Sequence, residues 1–170
     1  DGSKIYAGTW GGLSISDNNG LSFLNKTTAN GLGHNTILSI FTIGSSIYTG
    51  NYGGLSISTD GGSSFLNKTT ANGLGNNFVY GVYVAGSNVY AATTGGLSIS
   101  SDGGLTYINK TTANGLGDIL VKKVYAYGSY VYAATNTGAS ISSDYGNTFT
   151  NYTTSNGLRS DYTKSIIYVP

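Results

Sequence analysis

One eight-residue pattern, Ser-x-Asp-x-Gly-x-Ser/Thr-aromatic, occurs four times in this chain at a constant spacing of 42 residues, with Asn18 in place of the Asp in the first copy. Its copies begin at Ser16, Ser58, Ser100 and Ser142. Asn25, Asn67, Asn109 and Asn151 repeat with the same period. The chain therefore consists of four copies of one unit, and a period of about this length is typical of a propeller blade, a HEAT unit or a short solenoid coil.

Periodicity inside the unit decides among these folds. At the end of the second copy, just before the third, residues 79–84 include β-branched and aromatic residues and no polar one, as in a strand buried on both faces. Residues 97–100 alternate apolar and polar, as in a strand with one covered face. With residues 89–93 and 105–110 they predict four short strands joined by tight turns, and helical spacing is missing throughout. The chain is therefore predicted to be all-β, with one four-stranded antiparallel sheet per repeat.

Such small sheets bury both faces when they pack face to face in a ring, which is the β-propeller. We expect one propeller domain or half-propeller over residues 1–170, with repeats at residues 5–46, 47–88, 89–130 and 131–170. The apolar strand should be innermost and the Asn-Lys strand outermost. The motif turns should lie on one rim, and the connections between sheets on the opposite rim.

Ring closure is open to two interpretations. Residues 165–169 resemble an inner strand without partners, so they are predicted to pair with the N-terminal strands in residues 4–26 and so remove an exposed edge. Four blades can close as a monomer, or two chains can form an eight-bladed homodimer with C2 symmetry. The homodimer is favoured because the inner strands include small residues such as Ser39, Gly81 and Ser165. Such residues do not require four inner strands to meet in a tight junction at the centre of the ring.

Composition excludes several functions. Only 9% of residues are charged and the net charge is +1, which does not suit a nucleic-acid-binding surface. Cysteine is absent, so disulfides and thiolate metal sites are excluded. No segment approaches the ~18 apolar residues of a membrane span. We predict no metal and no cofactor, and an extracellular or cell-surface location from the low charge and abundant Asn, Thr and Tyr.

The repeated pattern resembles the Asp-box, or BNR repeat, of sialidase-like and other propellers, where it occupies the turn between the third and fourth strands of a blade. Residues 72–82 and 90–97 resemble, more loosely, the propeller repeats of bacterial two-component sensors. The hydroxyl and carboxylate of the motif can bind turn N–H groups, and its glycine permits a positive φ. A structural role is therefore expected for Ser16, Asn18, Gly20, Phe23, Ser58, Asp60, Gly62, Phe65, Ser100, Asp102, Gly104, Tyr107, Ser142, Asp144, Gly146 and Phe149.

The same resemblance raises the question of an enzyme. Sialidases of the Asp-box family use three arginines, a Tyr/Glu pair and an acidic Asp, whereas this chain has one arginine, Arg159, and no glutamate. Some Asp-box glycosidases use two acids at a defined separation. Asp118 and Asp161, in equivalent loops of adjacent repeats, are the candidates for such a pair, but solvated loop residues are the favoured interpretation. A non-enzyme is therefore predicted.

Comparison of the repeats indicates where a binding site would lie. Framework positions agree among the copies, whereas variable positions collect on the rim opposite the motif turns, where exposed aromatic rings suit sugars or protein anchors. Neutral loop variation is the competing explanation. The candidate ligand-binding residues are Trp10, His34, Tyr52, Asp118, Lys122, Arg159, Asp161 and Lys164.

Three functions follow from these observations. The favoured one is a non-enzymatic scaffold that recognises a glycan or a protein at the variable rim and associates with itself, without nucleic acid. The alternatives are a glycoside-active enzyme that uses Asp118 and Asp161, and a purely structural segment of a larger surface or sensor protein.

Overall fold

The computed structural model describes residues 4–169 and contains fifteen strands in four antiparallel sheets. The first sheet has three strands: β1 (Ile5–Thr9), β2 (Gly12–Ser16) and β3 (Leu24–Lys26). The second comprises β4 (Ile37–Ile43), β5 (Ser46–Asn51), β6 (Gly54–Ser58) and β7 (Leu66–Lys68). The third comprises β8 (Val79–Ala85), β9 (Asn88–Thr93), β10 (Gly96–Ser100) and β11 (Ile108–Lys110). The fourth comprises β12 (Val121–Tyr127), β13 (Tyr130–Thr135), β14 (Gly138–Ser142) and β15 (Thr150–Tyr152).

The inner strands β4, β8 and β12 pack against one another in chain order, and each sheet extends outward from them in sequence order. Equivalent side chains on these strands touch in series, with ring centroids 5.1 Å apart for Phe41 and Tyr83 and 4.7 Å apart for Tyr83 and Tyr125. Sheets that share a centre in this way have the arrangement of propeller blades. The predicted all-β fold of stacked four-stranded blades is confirmed.

The hydrophobic core lies between the sheets. Val82 and Val84 of β8 are buried against Tyr48 and Leu55 of the second sheet, in a cluster that also contains Tyr107. Burial of a Val or Leu side chain stabilises the fold by roughly 1.5–3 kcal/mol relative to exposure. A similar cluster joins each consecutive pair of sheets, so each blade depends on its neighbour for half of its core.

The outermost strands are shorter than the sequence predicts. In the third repeat the strand begins at Ile108 rather than at residue 105. The N–H groups of Leu105 and Thr106 donate to the carboxylate of Asp102 instead of to a strand, which explains the difference.

The connection that follows each outer strand contains a single 3-10 turn. The four turns are Thr28–Asn30, Thr70–Asn72, Thr112–Asn114 and Thr154–Asn156. Each is capped reciprocally by the preceding threonine and by its own asparagine, and each ends at a glycine of positive φ. The turn directs the chain back toward the inner strand of the next sheet.

The predicted pairing of N- and C-terminal strands is not formed within the chain. The first sheet has no fourth strand, and residues 161–169 form no strand. Instead, the C-terminal residues lie along the fourth sheet, where the Tyr168 ring stacks on Tyr132 with centroids 5.6 Å apart and the Thr163 N–H donates to the Thr135 carbonyl at 3.1 Å. Among the described residues, no strand pairing or backbone hydrogen bond joins the first sheet to the fourth, and Ile5 and Phe23 of the first repeat are exposed. The four sheets therefore form an open arc.

Within residues 4–169, no helix combines the length and the apolar character needed to cross a membrane.

Candidate functional site

The four motif turns bind their own backbone. In the second copy the Ser58 hydroxyl donates to Asp60 Oδ1 at 2.7 Å and accepts the Gly62 N–H at 2.9 Å. The Ser64 N–H and hydroxyl both donate to the Asp60 carboxylate. These donors, the side-chain hydroxyls foremost, hold the pKa of Asp60 well below its usual value of 3.8. The carboxylate is therefore engaged in the turn itself.

The first copy achieves the same turn with an amide. Asn18 Oδ1 accepts the Ser16 hydroxyl at 2.9 Å and the Ser22 N–H at 3.0 Å, while Asn18 Nδ2 donates to the Ser22 hydroxyl. In the third and fourth copies, Asp102 and Asp144 bind as Asp60 does, and the pKa of each carboxyl is likewise lowered by hydroxyl and N–H donors. The four turns are thus equivalent in geometry although one lacks a charge.

On the opposite rim, three rings from consecutive connections form a row that we term the rim cluster: His34, Tyr52 and Phe78. Tyr52 lies in the turn between β5 and β6, and its ring centroid is 5.6 Å from that of His34 and 5.0 Å from that of Phe78. Trp10, the counterpart of Tyr52 in the first sheet, is 84% exposed. The structure therefore brings together two of the predicted residues, His34 and Tyr52, and leaves Trp10 apart from them.

Phe78 was not among the predicted site residues. Its equivalents in the other repeats are Thr36, Leu120 and Tyr162, so this position is as variable as those that were selected. Comparison of the repeats could therefore have found it. An apolar residue directly before an inner strand has the same sequence pattern as a core residue, so its position alone does not mark it as a site residue.

The variable position occupied by His34 has a structural role of its own. His34 Nδ1 accepts the Thr36 N–H at 2.9 Å, and the counterparts Asn76, Asp118 and Ser160 each accept the N–H two residues further on. Any short acceptor supports this turn. Variation at the position is therefore compatible with neutral exchange among acceptors as well as with ligand recognition.

The two candidate acids, Asp118 and Asp161, also accept backbone N–H groups of their own connections. Asp118 Oδ1 accepts the Leu120 N–H at 2.8 Å, and Asp161 Oδ1 accepts the Thr154 N–H at 2.6 Å. In the first repeat, Asn35 takes the place of Asp161, and its Oδ1 accepts the Thr28 N–H at 2.9 Å. No hydrogen bond joins the two carboxylates in residues 4–169. Over the same range, no group of three His, Asp or Glu side chains is placed to hold a metal ion.

A second aromatic contact lies where β12 begins. Lys122 Nζ is 3.1 Å from the centroid of the Tyr162 ring, a cation–π arrangement, and has no hydrogen-bond partner within the described chain. The Lys122 ammonium lowers the pKa of the Tyr162 hydroxyl. Arg159 and Lys164, which belong to the same candidate set, are exposed.

The larger grooves lie away from the rim cluster. One of about 500 Å³ is formed mainly by tyrosines, among them Tyr127 and Tyr132 of the fourth sheet and Tyr168 of the C-terminal segment. Another of about 390 Å³ lies on the motif side between the first and second sheets, beside Phe23 and Gly62. In the rim cluster His34 and Phe78 are exposed, and an open surface of this kind suits an extended ligand better than an enclosed small molecule.

Several solved structures have a fold similar to that of this chain. The extracellular domain of a B. thetaiotaomicron protein described as a hybrid two component system superposes with a TM-score of 0.80 at 22% identity, over 94% of this chain and 23% of that chain. By fold, this chain is a β-propeller. A second such extracellular domain from B. thetaiotaomicron gives a TM-score of 0.75 at 19% identity, over 96% and 23% of the two chains.

An ancestral GH74 enzyme superposes with a TM-score of 0.68 at 22% identity, over 88% of this chain and 22% of that chain. The chain thus spans less than a quarter of the length of these three structures. No family model matches the sequence, and no curated protein matches it. The neighbours show the propeller fold, which is shared by sensor domains and enzymes.

Proposed function

We propose that the chain is a non-enzymatic recognition propeller that binds a glycan or a protein segment at the rim opposite the motif turns. The observation that carries this proposal is the rim cluster, in which His34, Tyr52 and Phe78 form a continuous aromatic surface across two sheet junctions. Aromatic rings with one wet edge supply large contact areas at low conformational cost, both for sugar faces and for protein anchors.

An extracellular location goes with this function. The similar domains of B. thetaiotaomicron are extracellular domains of signalling proteins. A surface of uncharged Asn, Thr and Tyr residues, with 9% charged residues in the whole chain, is consistent with such a setting. We further propose that the ring that presents the rim cluster is shared by two copies of the chain.

A glycoside-active enzyme is the second candidate, and the likeness to the GH74 enzyme is what favours it. Its acids would be Asp118 and Asp161. Both carboxylates accept turn N–H groups, which favours a structural role. The third candidate, a structural segment of a larger surface or sensor protein, requires no ligand at all.

The three functions are separated by binding and hydrolysis measured together. Wild-type protein is applied to a glycan array and to a library of displayed peptides, beside Tyr52→Ala and Phe78→Ala variants. Tyr145→Ala is the matched control, because Tyr145 is an exposed aromatic residue in a motif turn on the other rim. The proposal expects binding that the two rim variants lose and the control keeps.

Binding that all variants keep would place the site elsewhere, and the absence of any binding would favour the structural segment. A polysaccharide panel completes the test. Hydrolysis by the wild type that disappears in the Asp118→Asn/Asp161→Asn double variant would overturn the non-enzymatic proposal.

A further inference from the structure

The two ends of the open arc carry complementary halves of the contact that joins every internal pair of sheets. At each internal junction, the aromatic residue of a motif turn donates its backbone N–H to the asparagine carbonyl of the preceding 3-10 turn. These bonds are Phe65 to Asn30 at 2.9 Å, Tyr107 to Asn72 at 2.9 Å and Phe149 to Asn114 at 2.8 Å. At the ends of the arc, the corresponding donor is the Phe23 N–H and the corresponding acceptor is the Asn156 carbonyl. Neither group makes this bond.

The apolar surfaces at the ends are complementary as well. Phe23 is 45% exposed, whereas its counterparts Phe65, Tyr107 and Phe149 are at most 8% exposed. Ile5 of β1 is 41% exposed, whereas its counterparts in the other sheets are fully buried. At the other end of the arc, Leu158 is half-buried, although the equivalent leucines of the earlier repeats are buried. Each end thus lacks the neighbour that the internal sheets possess.

The C-terminal residues already occupy the position of a next inner strand. Internally, Ala126 of β12 packs with Tyr90 of the preceding sheet. One repeat later, Tyr168 corresponds to Ala126 and Tyr132 corresponds to Tyr90. The rings of these two tyrosines stack with an interplanar angle of 6°. The segment therefore lies on the fourth sheet as an inner strand lies on the sheet before it, but without the second strand with which inner strands pair.

Building on the proposed two-chain ring, we propose that the fourth sheet of one copy docks onto the first sheet of a second copy, and that residues 163–169 become the fourth strand of that sheet. The internal register, in which Phe41 faces Tyr48 and Thr42 faces Ile47, sets the pairing. By the 42-residue repeat, Ile167 corresponds to Phe41 and Tyr6 to Tyr48, so Ile167 faces Tyr6 of the second copy. In the same way, Tyr168 faces Ile5 of the second copy. Two identical junctions of this kind close a ring with C2 symmetry and leave no free sheet edge.

A second copy is the occupant because this one chain carries both halves of the contact, one on its first sheet and one after its fourth. The arc separates the first sheet from the chain's own C-terminal segment, so one molecule does not satisfy itself. The internal junctions show, three times over, which residues cover such a surface.

The docking also completes the rim at Trp10. Internally, Tyr52 lies against the connection that carries His34. The same step along the repeat places the Arg159–Ser160 connection of a second copy beside Trp10. The exposed tryptophan would then pack against a connection of the second copy, as Tyr52 packs against the connection of His34.

Solution mass tests the docking directly. Wild-type protein is expected at twice the chain mass of 17.5 kDa by light scattering. Phe23→Asp, which places a carboxylate in the junction, is expected to give the mass of a single chain with an unchanged circular dichroism spectrum. Leu21→Asp is the matched control, because this position is exposed in every repeat, and it should remain dimeric.

Cysteine cross-linking tests the register, since the natural chain contains no cysteine. Directly opposed residues in an antiparallel pair have Cα atoms about 4.5–5.5 Å apart, within the range of a disulfide. Because close and wide pairs alternate, the pairs Tyr6→Cys/Ile167→Cys and Ala7→Cys/Ile166→Cys are both made. At least one should form a covalent dimer on a non-reducing gel, and Tyr6→Cys/Val169→Cys, which is out of register, should not.

The outcomes separate the docking from the broader proposals. A wild type of single-chain mass would overturn both the docking and the two-chain ring. A dimer that neither responds to Phe23→Asp nor cross-links would overturn the docking alone. A disulfide within one chain would show closure by the chain itself, and particles larger than a dimer would exclude a closed pair. None of these results depends on whether the rim cluster binds a ligand.

Discussion

The backbone N–H of Phe65 donates to the carbonyl oxygen of Asn30 at 2.9 Å, and this bond ties the second sheet to the connection that leaves the first. The close approach requires glycine next to the asparagine. A Cβ on Gly31 would lie 2.0 Å from the Phe65 carbonyl oxygen, and the residue has a φ of +93°. The same distance of 2.0 Å applies to Gly73 and Tyr107 in the next repeat.

Gly73→Ala is therefore expected to destabilise the chain by about 2–5 kcal/mol, as the sum of left-handed backbone strain and a clash with backbone that cannot move away. Gly157→Ala is its matched control. Gly157 has a φ of +98° but meets no atom within 4 Å, so it should cost only the strain, roughly 1–2 kcal/mol. Urea unfolding in the Phe23→Asp background measures both. Equal losses would show that the junction contact contributes nothing.

Acid should weaken the motif turns. Hydrogen bonds from Ser64 and Ser58 lower the pKa of Asp60 in the folded chain from its usual value of 3.8. The ionised carboxylate therefore contributes fully to stability above pH 3.8, and this contribution is lost as the pH falls through the pKa of the folded state. Asp60→Asn should lower the urea midpoint at pH 7 and bring the variant progressively closer to the wild type below about pH 4. Asn18 shows that an amide can hold the turn, so the variant should still fold. A difference that is independent of pH would contradict the assignment.

The contact between Lys122 and Tyr162 should be visible in the titration of the tyrosine. Because the ammonium favours the phenolate, Lys122→Met is expected to raise the pKa of Tyr162 toward its ordinary value of 10.0. NMR of tyrosines labelled at Cζ, with Tyr162→Phe to assign the signal, measures this shift. Lys123→Met, which removes an exposed neighbouring charge, is the control and should move the pKa less. An unchanged Tyr162 titration in Lys122→Met would contradict the contact.

Arg159 departs from the internal pattern at the proposed junction, because the other three repeats have glycine at this position. Its counterparts are Gly33, Gly75 and Gly117, and a Cβ on Gly33 would lie 2.4 Å from the Asn67 side chain. Arg159→Gly should relieve this overlap, which is worth roughly 1–3 kcal/mol at each of the two junctions, and should lower the dimer dissociation constant by about 30-fold to 20,000-fold. Mass measured over a dilution series tests it. Weaker association would show that the arginine makes a favourable contact across the junction.

The candidate site was recovered from the sequence only in part. Variation among the repeats pointed to the rim of His34 and Tyr52, and these two rings do meet. It did not identify Phe78, because an apolar residue before a strand has the same appearance whether it faces a core or a ligand. It also could not show that His34 and Asp118 cap turns, since that role depends on a backbone N–H two residues away.

The sequence by itself determined the four repeats, the all-β sheets and the turn chemistry, because alternation, β-branched runs and turn residues act over a few neighbouring positions. Only the tertiary structure decided that the four sheets remain an open arc, with Tyr168 on Tyr132 and Phe23 uncovered. The angle between blades arises from the packing of whole sheets against each other. That angle is a sum over many side chains, and no single stretch of sequence specifies it.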